Sequence, residues 1–200
     1  MDSDLKRKIT ASFMIGYLVS LLKNEMCEDV NCTKGYQIFL PSMVRAQILS
    51  TMSELFLEIF NEPMNNKIST ISNNDLKITL TEIFDLVSEK IQSGGESFLE
   101  ISFLCGGLIS LTHIDEENSV DRKKMRTILI SILTTLGLNF CWSDLNKTID
   151  ELSSNSIRSR KESRDNLFLM ICGSHENHKK IFEIQNLFET TKYNQSSVYA

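Results

Sequence analysis

Three residues towards the C-terminal end of the chain carry side chains that could bind a metal ion. Cys172, His175 and His178 offer one thiol and two imidazoles at the short spacing that zinc sites use. A structural zinc ion takes four ligands, and the chain contains no second ligand pair at zinc-site spacing. The three residues also lie in a polar stretch of the sequence. We therefore expect no metal and no other cofactor.

The five cysteines are the next candidates for chemistry. Their odd number and irregular spacing are typical of thiols in a reducing compartment and not of a disulfide framework. A nucleophilic thiol needs a neighbouring base at an accessible, electropositive position. Cys105 and Cys141 are instead predicted inside hydrophobic helices, where we expect them to be inert.

Motifs that identify enzymes are missing from the sequence. It has no GxxxxGKS/T phosphate loop, no GxGxxG, no HExxH and no GxSxG. A thiol- or metal-dependent enzyme stays as a remote alternative, which stoichiometric zinc in the purified protein or a thiol of depressed pKa would support. We therefore do not expect an enzyme.

Length, composition and charge exclude further classes of protein. A chain of 200 residues with 42% hydrophobic and 24% charged residues is typical of one globular domain, here residues 1–200. A net charge of -5 without a sustained basic stripe argues against binding to nucleic acid. No stretch reaches the roughly 18 to 20 apolar residues that a membrane span requires. We expect a soluble, cytoplasmic protein.

The elements that would position any site are predicted to be helical. Apolar residues recur at helical spacing over residues 9–22, which predicts an amphipathic first helix and not a cleaved signal peptide. A second helix is predicted between the two prolines, with Ser42 as its cap. A third is predicted from Asp75 to a glycine stop at residues 94–95. Because strand patterns are essentially missing, we predict an all-α fold.

Residues 97–111, "SFLEISFLCGGLISL", form an almost uncharged run of fifteen residues. As a helix it is apolar on nearly every face apart from Glu100, so we expect other helices to surround it. Gly106 and Gly107 each cost about 1 kcal/mol relative to alanine inside a helix. Their presence indicates that a neighbouring backbone comes close. The sequence therefore predicts that residues 97–111 are the central helix.

The C-terminal half continues the helical pattern. Residues 125–140 predict a strongly apolar helix, and residues 141–152 predict a short amphipathic one. Residues 153–165, "SSNSIRSRKESRD", are predicted to be a charged link. Two more helical candidates follow, at residues 166–173 and 178–189, and the pattern does not assign their packing.

The order of these helices, together with three motifs, resembles the Bcl-2 family of apoptosis regulators. The third homology motif of that family is matched in the second helix by Leu49, Met52, Ser53, Glu54 and Phe56. The segment "LVSEKIQSGGESFLEISFLCGG" is similar to the first homology region, with Gly106 and Gly107 matching directly and Cys105 in place of a phenylalanine. "WSDLNKTID" places Trp142, Asn146 and Asp150 at the intervals of the second homology region.

The resemblance implies a fold and a function. The fold would be a single Bcl-2-like helical bundle around a buried central apolar helix, with the likeness covering about residues 9–152 and residues 153–200 forming the linker and C-terminal helical segments. The function would be anti-apoptotic: a hydrophobic groove sequesters the amphipathic death-motif helix of a pro-apoptotic Bcl-2 family protein. Such partners would recruit the protein to mitochondria, and a homodimer is left open.

The resemblance also implies which residues form the groove. By motif position they are Phe56, Ile59, Phe60, Leu86, Lys90, Phe98, Glu100 and Ile101. Phe98 stands where the family has an arginine that pairs with an aspartate of the ligand, so that charge-assisted bond is lost. Without the family likeness, apolar residues at helical spacing are more often core than site, and we expect Trp142 to be a packing anchor.

The loss of that arginine favours an alternative. In it, the protein is a Bcl-2-fold adaptor that lacks a working groove and inhibits signalling through a helical surface. Titration of the protein with death-motif peptides would separate the two hypotheses, because only a working groove binds them.

Overall fold

The computed structural model describes residues 2–25, 42–64, 82, 85–95, 97–113 and 121–198. All regular structure in these ranges is helical, which confirms the all-α prediction. The elements are α1 (Ser3–Glu25), α2 (Ser42–Phe60), α3 (85–93), α4 (Ser97–Ser110), a 3-10 turn (Leu111–His113), α5 (Arg122–Thr135), α6 (Trp142–Leu152), α7 (Ile157–Cys172) and α8 (His178–Val198). None of the helices described is both long and apolar enough to cross a membrane. The predicted start of the third helix, at Asp75, lies outside the described residues.

The helix that is buried on all sides is α1. From Ile9 to Leu21 every residue except Ser20 is buried, including the polar Thr10 and Ser12. Helices α2, α4 and α7 all pack against it. The prediction of an amphipathic first helix was therefore wrong, because small residues such as Ala11 between the large apolar ones let neighbouring helices cover every face.

The crossing of α1 and α4 brings two backbones into contact. A Cβ atom at Gly16 would lie 2.0 Å from the carbonyl oxygen of Phe103, and one at Gly106 would lie 2.0 Å from the carbonyl oxygen of Phe13. The buried hydroxyl of Ser102 donates a 2.6 Å hydrogen bond to a carbonyl of α1. The expectation that a neighbouring backbone comes close to Gly106 is confirmed.

Helix α4 is buried on one side only. Its buried residues are Leu99, Ser102, Phe103, Cys105, Gly106, Ile109 and Ser110. On the other side Phe98 and Leu104 are exposed, and Ile101 and Leu108 are only partly buried. The prediction that other helices surround residues 97–111 was therefore wrong, because high hydrophobicity is shared by core residues and by apolar residues left at a surface.

The segment predicted as a charged link is mostly helix. Residues 157–165 form the first half of α7. Ser156 caps this helix, because its hydroxyl accepts a hydrogen bond from the Ser159 amide. Arg160 and Arg164 are buried and donate hydrogen bonds, for example from Arg160 to the carbonyl oxygen of Thr112 at 3.2 Å, although Nε of Arg164 has no partner among the described residues. The prediction failed because buried arginines that have partners resemble a solvated charge run in the sequence.

Helices α7 and α8 pack against the preceding helices. Helix α7 lies against α6, the 3-10 turn and α1, and α8 lies against α2. The buried Arg164 joins them, because its guanidinium donates to the Thr112 hydroxyl at 3.2 Å and to the Glu189 carboxylate on α8 at 2.8 Å. The packing that the sequence left unassigned is therefore specified by this pair of bonds and by the apolar contacts around them.

Candidate functional site

The strongest candidate for a recognition surface is an apolar stripe along the open side of α4. We call Phe98, Ile101, Leu104 and Leu108 the α4 stripe. Phe98 is 47% exposed and Leu104 is 43% exposed, while the other two are partly buried. Residues three and four apart share one face of a helix, so the four side chains form one continuous strip. A strip of large apolar side chains in contact with water marks an interaction surface.

A cluster of aromatic rings and one lysine lies where α2 meets α3. The rings of Phe56 and Phe60 are 4.7 Å apart between centroids. The Lys90 ammonium lies 5.5 Å from each of these centroids and forms an ion pair with Glu62. The ammonium is thus held by a carboxylate above two aromatic faces, a position that favours a cation electrostatically.

The residues implied by the resemblance fall into two groups of different burial. Phe56 is only 2% exposed, and Ile59 is also buried, so both belong to the core. Phe60, Leu86 and Lys90 are partly buried and cover that core. On α4, Phe98 and Ile101 belong to the α4 stripe and Glu100 is half-buried. Sequence reasoning missed Leu104 and Leu108, because the apolar run is wider than one buried face but does not show which of its residues face solvent.

Trp142 lies at a second exposed aromatic site. Its side chain, which we expected to be a packing anchor, is 54% exposed at the start of α6. The ring contacts Phe140 edge-on, with centroids 5.5 Å apart, and the Arg126 guanidinium lies 5.7 Å from the ring centroid. The indole therefore packs on neighbours at the surface and keeps one side open to solvent.

Of the three residues considered as metal ligands, His175 is engaged in other contacts and Cys172 is buried, while Nε2 of His178 is buried without a hydrogen-bond partner among the described residues. Nε2 of His175 lies 3.0 Å from both carboxylate oxygens of Glu58, and its Nδ1 accepts a hydrogen bond from the Asn177 amide. Cys172 is buried, and burial raises the pKa of its thiol well above the usual value. Among the described residues no group of three His, Cys, Asp or Glu side chains is placed to hold a metal ion.

The thiols differ in their surroundings. Cys105 is buried, and burial raises its pKa, as expected for an inert core thiol. Cys141 is exposed at the position before α6, so the prediction that it lies inside a hydrophobic helix was wrong. A hydrogen bond with the Ser143 hydroxyl, with Sγ and Oγ 3.0 Å apart, lowers the pKa of the Cys141 thiol. Cys27 and Cys32 lie outside the described residues.

The fold and the surface together describe a helical protein with a strip of exposed and partly buried apolar side chains. No known protein family, curated protein or solved structure matches this chain. A function must therefore be inferred from the chemistry of the α4 stripe and from the motifs in the sequence.

Proposed function

We propose that this protein is a Bcl-2-like regulator of cell death that binds the amphipathic helix of a pro-apoptotic partner. The observation that carries the proposal is the α4 stripe, because large apolar side chains at helical spacing are seldom left in water unless a partner covers them. An amphipathic helix presents apolar residues at the same spacing, so its side chains fit between those of the stripe. The part of the proposal that concerns cell death rests on the sequence motifs that resemble the homology regions of the Bcl-2 family.

The free energy of binding would come mainly from apolar contacts. Fully burying a leucine or phenylalanine side chain is worth about 1.5 to 3 kcal/mol, so covering the exposed halves of Phe98 and Leu104 contributes about 1 kcal/mol each. Phe98 cannot form the charge-assisted bond that an arginine forms at this place in the family. Lys90 is paired with Glu62, so an acidic residue of the partner would have to compete for its ammonium.

The proposal is tested with a matched pair of leucine substitutions. Leu104→Glu places a charge in the α4 stripe, whereas Leu169→Glu places the same charge on α7, where the leucine is 56% exposed. We expect Leu104→Glu to weaken the binding of a death-motif peptide at least tenfold, about 1.4 kcal/mol, in calorimetric titration, and Leu169→Glu to change it less than twofold. Equal effects of the two variants, or no peptide bound by the wild type, would contradict a binding function of the stripe.

A second candidate function is the groove-less Bcl-2-fold adaptor. It is favoured by the burial of Phe56 and Ile59, which leaves fewer groove residues available, and by the exposed indole of Trp142. In that case the wild type would bind none of the death-motif peptides. A Trp142→Ala variant, and not Leu104→Glu, would then lose the protein's inhibitory effect on signalling in cells.

A further inference from the structure

A second site lies on the molecule away from the α4 stripe, where three elements line an open cavity. The cavity has a volume of about 370 Å³. Its walls come from the first turns of α1, from the turn after α5 and from the end of α7 with the turn that follows. The residues that line it are Lys6, Arg7, Thr10, Leu136, Leu138, Met170, Ile171, Ser174, His175 and Glu176.

One of the two cations at this cavity has no ion pair in the described part of the chain. Arg7 pairs with two carboxylates, Glu58 at 3.2 Å and Glu176 at 3.3 Å. Lys6 forms no ion pair with any residue that the structure describes, and its side chain lines the cavity. Thr10 lies one turn further along α1, on the same side of the helix, and its hydroxyl has no hydrogen-bond partner among the described residues. An ammonium and a hydroxyl are thus available side by side.

The opposite wall of the cavity is apolar. Leu136 and Ile171 belong to the core, Leu138 is partly buried, and Met170 is exposed at the edge. Methionine is flexible and polarisable, so it adapts to ligands of different shape. An apolar wall that faces an unpaired ammonium is complementary to a molecule with a hydrocarbon body and one negative charge.

We propose that this cavity binds a small carboxylate with an apolar body, of which a medium-chain fatty acid is the simplest example. The carboxylate accepts hydrogen bonds from the Lys6 ammonium and the Thr10 hydroxyl, and the hydrocarbon lies against Leu138 and Met170. A volume of about 370 Å³ lies near the lower end of the roughly 300 to 1,000 Å³ of small-molecule sites. A peptide helix would need an elongated open surface such as the α4 stripe, so this site differs from the proposed partner site in both place and ligand.

The site is tested by titration with octanoate, followed by NMR of the protein labelled with carbon-13 in its methionine methyl groups. Met170→Leu identifies the Met170 signal. We expect this signal to shift and saturate with octanoate below about 10 mM, a weak affinity that suits a ligand of few atoms. Acetate lacks the hydrocarbon and octanol lacks the charge, so we expect each to bind at least fivefold more weakly. No saturable shift, or equal binding of acetate, overturns the proposal.

Substitutions then test the named groups. We expect Lys6→Gln to weaken octanoate binding at least fivefold and Thr10→Val at least twofold. Lys124→Gln is the matched control, because it removes the same charge at the other end of α5, about 18 Å along the helix axis from Leu136. Equal binding by Lys6→Gln and Lys124→Gln overturns the proposed role of the ammonium. Leu104→Glu should leave octanoate binding unchanged, and a loss in that variant would overturn the independence of the two sites.

Discussion

Phe56 and Phe98 illustrate at the scale of single residues how one predicted site divides into core and surface. The resemblance assigns both phenylalanines to the groove. Phe56 is 2% exposed beneath Phe60 and Lys90, whereas Phe98 is 47% exposed on the α4 stripe. The same side chain therefore has different physical roles at the two positions: one stabilises the fold, and the other is available to a partner.

This difference predicts opposite results for two truncations. Phe56→Ala should reduce the free energy of unfolding by about 3 to 5 kcal/mol, because it leaves a cavity in the core. Phe98→Ala should change it by no more than about 0.5 kcal/mol, because the ring is half in solvent. Urea unfolding followed by circular dichroism measures both values. A small loss for Phe56→Ala would mean that its ring lines an open groove after all.

At the scale of elements, the contact between α1 and α4 depends on Gly16 and Gly106, which lie where the two helices cross. The neighbouring Gly107 provides a comparison. At Gly106 a Cβ atom would meet backbone atoms, at 2.0 Å from the Phe13 oxygen and 2.7 Å from the Tyr17 nitrogen. At Gly107 the nearest atom is the Ser20 hydroxyl at 2.8 Å, which belongs to a side chain that can rotate away. The two adjacent glycines thus differ in the atoms that an added Cβ would meet: backbone atoms at Gly106 and a rotatable side chain at Gly107.

We therefore expect Gly106→Ala to lower stability and Gly107→Ala to be tolerated. Alanine gains about 1 kcal/mol in helix propensity at either position. At Gly106 the helices must move apart to admit the methyl group, with a typical cost of about 1 to 3 kcal/mol or more. Thermal unfolding of the two variants gives the comparison, and a melting temperature of Gly106→Ala equal to or above that of Gly107→Ala would show that the helices are not in backbone contact.

Sequence reasoning succeeded for elements where the signal is local. The two glycines of α4 lower the stability of their own helix relative to alanine. Their presence therefore indicates a close neighbour before any packing is known. The exposure of the α4 stripe and the burial of Arg164 were not predictable in this way. The same apolar or charged residue can face either the core or solvent, and the sequence does not distinguish the two. Cys141 was misplaced because helix boundaries are the least certain part of a periodic pattern.

At the scale of the whole molecule, Arg164 connects the C-terminal helices to the rest of the fold. Its buried guanidinium bonds Thr112 in the turn after α4 and Glu189 on α8. The carboxylate of Glu189 also pairs with Lys161 at 3.2 Å. A buried charge that keeps its partners supports a single arrangement of the helices, whereas a partner left alone is costly.

Arg164→Met tests whether the chain unfolds as one unit. The substitution keeps most of the side-chain volume but removes the bonds of the guanidinium to Thr112 and Glu189, while Glu189 keeps Lys161, so we expect a loss of about 1.5 to 3 kcal/mol. The single tryptophan, Trp142, reports on α6 by fluorescence, and circular dichroism reports on all helices. The two transitions should coincide and shift together. Separate transitions, or a shift in only one of them, would mean that α7 and α8 unfold independently.

The long sequence separation between the two crossing helices has a consequence for synthesis of the chain. Gly16 and Gly106 stand 90 positions apart in the sequence, so the side of α1 that packs on α4 has no partner until α4 has been translated. At about 5 to 20 residues per second, that interval lasts roughly 5 to 20 s. Throughout it, the α4-facing side of α1 stays uncovered, although α2 can already pack on another side. We therefore expect residues 9–21 to bind a chaperone during translation.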